Sequence, residues 1–150
     1  MKIVDTNIVV YLLLKGPYSD AARALHAMDS DWQSESFLMV ELVNVLATAM
    51  RSAKRPLAAS LQTLAEAQRL MSAGLRNAED CDVLNAAAHF GISGYDARFL
   101  VVARALGKPL ITEDVKLRRA APDLTCSLAD ALAAIDLPGS QFSPAAGRPT

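Results

Sequence analysis

Four acidic residues stand where one chain element gives way to the next. Asp5 follows the short apolar stretch Lys2-Ile3-Val4, Glu41 falls in the first turns of a helical run, Asp96 opens another, and Asp114 comes just after Leu110-Ile111-Thr112. An acid in the first turn of a helix usually complements the helix dipole or caps the end, so each of the helical acids has an ordinary explanation when taken alone. Asp5 is harder to explain that way, because a carboxylate at the end of a buried strand is costly unless charge or hydrogen bonds compensate it. Thr112-Glu113-Asp114 adds a parity argument: if the strand runs on through these residues, Thr112 and Asp114 point to one face and Glu113 to the other. Asp114 is then the candidate ligand and Glu113 a solvated bystander. Carboxylates gathered at one end of a sheet repel one another, and a hard divalent cation, Mg²⁺ or Mn²⁺, is the usual way to tolerate them. With water also present, such a site suits phosphodiester hydrolysis.

The residue inventory narrows the alternatives. His26 and His89 are the only histidines, which removes HExxH metalloprotease chemistry and multi-histidine zinc sites, so any metal must be oxygen-bound. Cys81 and Cys126 lie far apart without zinc-site spacing and read as reduced core thiols. Gly107-Lys108 has Val102 where a phosphate-binding loop needs its first glycine and Pro109 where it needs Ser or Thr. Gly91-Ile92-Ser93-Gly94 lacks the spacing of a nucleophile elbow and reads as a helix stop, with His89 a helix-end residue. A phosphatase using Asp5 as nucleophile would be supported by a second Asp at position 7, which is Asn7.

The elements that must position the acids follow from periodicity and punctuation. Lys2 to Asp5 reads as a buried strand ending in a polar Thr6-Asn7 turn, and Ser19 caps a helix over Ala21 to Met28. Trp32-Gln33-Ser34 reads as a second strand, and Ser36 caps the helix Phe37 to Met50, with Leu38, Leu42, Val45, Leu46 and Ala49 at helical spacing. Pro56 separates that helix from Ala58 to Ser72. Asp80 or Asp82 caps a helix through His89, Gly91 ends it, and Gly107 stops a further helix over Tyr95 to Leu106. Leu110 to Thr112 and Thr125 to Ser127 read as strands, followed by a short helix Leu128 to Ile135. Short apolar strands separated by helices indicate an α/β fold with a parallel sheet, which binds ligands at the carboxyl ends of its strands. One domain over residues 1–136 is expected, with a Pro/Gly/Ser-rich tail at 137–150.

Of 150 residues, 52% are hydrophobic and 21% charged, the balance of a packed domain. The apolar run Ile8 to Leu14 is too short to span a bilayer, and a cytoplasmic address follows. The net charge of −1 comes from 15 basic and 16 acidic residues; setting four acids aside for a cation leaves 15 against 12, which permits a nucleic-acid partner. Arg98 and Lys116, each two residues past an acid of the set, are the basic residues to test first for RNA contact.

Taken in order, Ile3-Val4-Asp5-Thr6-Asn7, Val40-Glu41-Leu42-Val43-Asn44-Val45-Leu46, Tyr95-Asp96-Ala97 and Thr112-Glu113-Asp114 resemble the four motifs of VapC-type PIN domains over roughly residues 2 to 132. The resemblance implies a PIN-like three-layer α/β/α sandwich with a short central parallel sheet. It also implies Mg²⁺- or Mn²⁺-dependent endoribonuclease activity and a small cognate antitoxin as partner. By the same resemblance Asp5, Glu41, Asp96 and Asp114 bind the metal and carry catalysis, with Thr6, Asn7 and Thr112 as hydrogen-bonding support. The competing readings are a housekeeping or non-catalytic PIN module that only binds RNA, and the Asp-nucleophile phosphatase. No membrane partner is expected, and the oligomeric state, homodimer included, is left open.

Overall fold

The computed structural model describes residues 1–134. The chain runs β1 (Lys2–Val4), α1 (Thr6–Leu13), α2 (Ser19–Met28), β2 (Trp32–Glu35), α3 (Phe37–Ser52), α4 (Leu57–Met71), β3 (Leu75–Arg76), α5 (Asp80–Phe90), α6 (Gly94–Leu106), β4 (Leu110–Ile111), α7 (Val115–Ala120), a 3-10 turn at Pro122–Leu124, β5 (Thr125–Cys126) and α8 (Leu128–Ala133). All five strands pair in parallel, in the order β3-β2-β1-β4-β5. Ile3 lies opposite Gln33 on one side and Leu110 on the other, so β1 is central. Its two residues Ile3 and Val4 are fully enclosed, as expected of a parallel strand covered on both faces.

From β1 the chain steps outward to β2 and β3, then returns across the sheet to β4 and β5 on the other side. Right-handed crossovers put α1 to α4 on one face and α5 to α7 on the other, which gives the three layers expected from the sequence. The carboxyl ends of β1 and β4 therefore flank the place where the winding reverses, the position at which open α/β sheets leave a crevice.

Several expectations change in detail. Thr6 and Asn7 do not form a turn: they are the first turn of α1, because Asp5 stops the strand and caps the helix with its own side chain. Ser19 lies inside α2, where its hydroxyl takes the Gly16 N–H and donates to the Leu14 carbonyl. Ser36 makes no side-chain cap for α3; the buried Glu35 carboxylate accepts the Phe37 N–H instead. α5 begins at Asp80 behind Glu79 with no side-chain cap, and Gly91 and Gly107, both at φ 64°, close α5 and α6 as expected. Cys81 is exposed on α5 and so is not a core thiol, whereas Cys126 is half-buried and its thiol is pushed up to about 11, mainly by burial. Ile135 and the 137–150 tail lie outside the described residues.

The core is built from the helix stripes and the strands. α3 buries Leu38, Leu42 and Leu46, four residues apart, and α6 buries Ala97, Phe99, Leu100, Val102 and Ala103. α4 turns inward Ser60, Thr63, Ala67 and Met71, leaving Leu57 and Leu61 outside. The Arg55 guanidinium makes this tolerable by donating to the Thr63 hydroxyl at 2.7 Å. Among the described residues no helix is long and apolar enough to cross a membrane.

Candidate active site

The four sequence-nominated acids, three at element termini and Glu41 one turn inside α3, line one cavity of about 520 Å³ at the carboxyl end of the sheet. Asp5 and Asp114 enter as helix caps: Asp5 Oδ1 accepts the Ile8 N–H at 3.1 Å and Asp114 Oδ1 accepts the Leu117 N–H at 3.0 Å. Glu41 reaches the cavity from the second turn of α3 and Asp96 from the first turn of α6. Asp96 is held by Ser93, whose hydroxyl donates to Oδ2 at 3.0 Å while accepting the Asp96 N–H. A strand, two helix starts and a strand-to-helix turn thus place four charges that are distant in sequence on one wall.

Two threonines link these acids. Thr6 Oγ1 donates to Glu41 Oε1 at 2.7 Å, tying α1 to α3. Thr112, fully buried, hydrogen-bonds the Asp5 carboxylate and accepts the Asp114 N–H at 3.1 Å. Asn7 lines the cavity and is exposed. Its backbone N–H also supports Asp5.

The electrostatics are unfavourable for ionised Asp5 and Glu41. Asp5 is raised from 3.8 to about 6, chiefly by burial; the Thr112 and Ile8 hydrogen bonds oppose the shift and the Glu41 charge adds to it. Glu41 is raised as well, first by burial and then by the charge of Asp96, against the Thr6 hydrogen bond. The sequence of influence Asp96 on Glu41 on Asp5 shows that the acids feel one another across the cavity.

The sequence reading missed three groups. Glu35 is the most deeply buried acid among the described residues, and its carboxylate takes the Arg98 guanidinium at 2.7 Å and the Ala78 N–H at 3.2 Å. Arg98, one of the two residues nominated for RNA, is therefore committed to an internal ion pair, with a longer reach of 3.6 Å to exposed Asp80. Lys116, the other, is exposed on α7. Glu113 is not a solvated bystander: β4 ends at Ile111, and the largely covered Glu113 carboxylate accepts the Leu128 N–H at 2.7 Å, capping α8. The third group is Phe37, Val40, Asn44 and Val45, which line the cavity from α3 alongside Glu41. Their spacing at 37, 40, 41, 44 and 45 is a helical stripe beside the Leu38-Leu42-Leu46 stripe, and it was available in the sequence.

Four carboxylates supported by hydroxyls and amides, with no sulfur or imidazole among the lining residues, form a donor set that suits a hard divalent cation. Among the described residues no three acidic, imidazole or thiol side chains close around one point. The acids instead line an open wall, which fits an ion that keeps several of its waters.

The chain belongs to the PIN-domain family, whose family model matches residues 2–122. Members of that family are in general metal-dependent nucleases. Among solved structures, the chain is similar to the crystal structure of PAE2754 from Pyrobaculum aerophilum, with a TM-score of 0.69 at 20% identity over 89% of this chain and 95% of that one, a likeness of fold. No curated protein matches the sequence.

Proposed function

We propose that this PIN domain is an endoribonuclease dependent on Mg²⁺ or Mn²⁺, acting in the cytoplasm as the toxin of a VapBC-type toxin–antitoxin pair. The observation that carries the catalytic part is Asp5: a buried carboxylate at the sheet's carboxyl end, supported by hydroxyl and N–H donors and raised to about 6 by burial and a neighbouring acid. The α1 cap needs only the side-chain oxygen of Asp5 and not its charge, and a bound cation would relieve the cost of that charge.

In this reading Asp5, Glu41, Asp96 and Asp114 hold the cation. When bound, a divalent cation supplies positive charge that offsets the negative charge building on the phosphate as water attacks. Thr6 fixes the rotamer of Glu41, and Thr112 fixes both the Asp5 carboxylate and the backbone of Asp114. Asn7 and Asn44 offer amide donors to phosphate or ribose oxygens from opposite helices of the same wall. The toxin reading rests on the resemblance of the motifs. Val40 and Val43 on α3 and Leu57 and Leu61 on α4 are exposed apolar residues that a small antitoxin would cover.

The test is cleavage of a defined RNA pool in Mg²⁺, Mn²⁺ or EDTA, with cut sites sequenced, for wild type, Asp5→Asn and Asp96→Asn. Cleavage confined to the cation-containing reactions, and absent from both variants while their circular dichroism matches wild type, is expected. Full activity in EDTA or in either variant contradicts the assignment, and RNA binding without cleavage in any ion would favour a non-catalytic module. Growth arrest on expression alone, rescued by a small co-purifying partner, checks the toxin role.

A further inference from the structure

The acid-lined cavity has an aromatic rim that the nuclease chemistry leaves unused. Phe37, the first residue of α3, and Tyr95, in the first turn of α6, both line the cavity, and their rings stack nearly parallel, with centroids 5.1 Å apart and an interplanar angle of 7°. Phe37 is half-buried and the Arg98 guanidinium lies over its ring at 5.9 Å, so the inner partner is anchored by the same residue that holds Glu35. Tyr95 remains 64% exposed despite the stack, an aromatic ring fixed in orientation yet open to solvent beside the carboxylates.

The charges around the cavity sharpen what this rim is for. Among the described residues none of those lining the cavity is Lys, Arg or His. Arg98, the cation at the α3–α6 side, is spent on Glu35. Cationic side chains in the wall therefore do not grip a nucleic-acid backbone, and recognition inside the cavity falls to the cation site, the amides and the aromatic pair. An aromatic face binds a base by replacing its stacking neighbour, which it can do only for a base that is unstacked and unpaired.

We propose that the Phe37–Tyr95 pair is a stacking platform for one unpaired nucleobase beside the scissile phosphate. This rests on the nuclease reading above and adds the residues that hold the base next to the cut. Tyr95 is the contacting ring and Phe37 the positioning one. The requirement is for a π-face, so the Tyr95 hydroxyl is dispensable.

The experiment uses the full chain with Tyr95→Phe, Tyr95→Ala and Tyr95→Trp. The chain's single native tryptophan, Trp32, is buried at 2% exposure, so the Tyr95→Trp protein carries one solvent-facing indole. Fluorescence is followed while a short single-stranded oligoribonucleotide, or the same strand in a duplex, is added in Ca²⁺; KM and kcat are measured separately in Mg²⁺. The expected results are quenching by the single strand and not by the duplex, a wild-type KM for Tyr95→Phe, and a KM raised about tenfold for Tyr95→Ala with kcat much less affected. An unchanged KM in Tyr95→Ala, no quenching at saturating single strand, or equal response to the duplex overturns the platform. Quenching by single strands from a protein that cleaves nothing would uphold the platform and remove the nuclease reading, so the two fail separately.

Discussion

Asp5 and Glu35 leave the same end of the sheet from neighbouring strands, and both are buried, yet the fold serves them in opposite ways. Glu35 receives a guanidinium at 2.7 Å and two backbone N–H groups, so its charge is matched inside the protein. Asp5 receives a hydroxyl and backbone N–H donors, and the charge that acts on it is that of a second carboxylate, Glu41. A buried acid with its own cation is a structural clamp, here fastening the start of α3 to α6. A buried acid left to face another acid carries an unmatched cost, which in the proposed function a bound cation would relieve.

The largest effect that could break this contrast is removal of the clamp's cation. Arg98→Met leaves Glu35 buried without a partner and should cost about 3–5 kcal/mol in urea unfolding. A cost under about 1 kcal/mol would mean that the backbone donors alone suffice for Glu35, and the distinction between the two acids would fade.

Asp5→Asn should do the reverse. The folded pKa of Asp5, about 6, lies above its ordinary value of 3.8, so the native state holds an extra proton between those values. Metal-free wild type therefore loses stability as pH rises from about 4 through 6, and the penalty is complete above that, up to about 3 kcal/mol at 1.36 kcal/mol per unit. Asn keeps the helix cap and removes the charge. Metal-free Asp5→Asn should melt above wild type at pH 7.5, with the two converging near pH 4; a variant that melts lower at pH 7.5 would make Asp5 an ordinary cap.

The smallest effect sharpens the contrast within one tripeptide. Glu113→Ala removes the acceptor for the Leu128 N–H and should cost about 1 kcal/mol with no change in RNA cleavage, whereas its neighbour Asp114 faces the cavity. Loss of cleavage in a folded Glu113→Ala protein would show that the two acids had been assigned the wrong way round.

What was legible in the sequence was periodic or punctuated. α3 and α6 announced themselves by spacing and by Gly107, and the four acids by their places at element ends. The two-residue strand β3 was invisible because Leu75–Arg76 carries no pattern of its own and exists by pairing with Ser34 and Glu35. α1 was hidden because Ile8 to Leu13 is apolar on most sides and Thr6-Asn7 resembles a turn, while its cap is the same Asp5 read as a strand's end. The parity argument separated Asp114, which lines the cavity, from Glu113, which does not, but its premise failed: the strand stops at Ile111, a turn into α7 separates the two side chains, and Glu113 is covered rather than solvated. Glu35 and Arg98 were unreadable as a pair because 63 residues lie between them and only the packing of α6 on β2 joins them.

The most direct measurement is a Mg²⁺ titration of thermal melting at pH 7.5 for metal-free wild type and Asp5→Asn. Wild type should start lower and rise steadily with Mg²⁺, as a ligand that binds only the folded state requires, and the variant should start higher and stay nearly flat. Equal rises in the two proteins would contradict the assignment of Asp5 to a cation site.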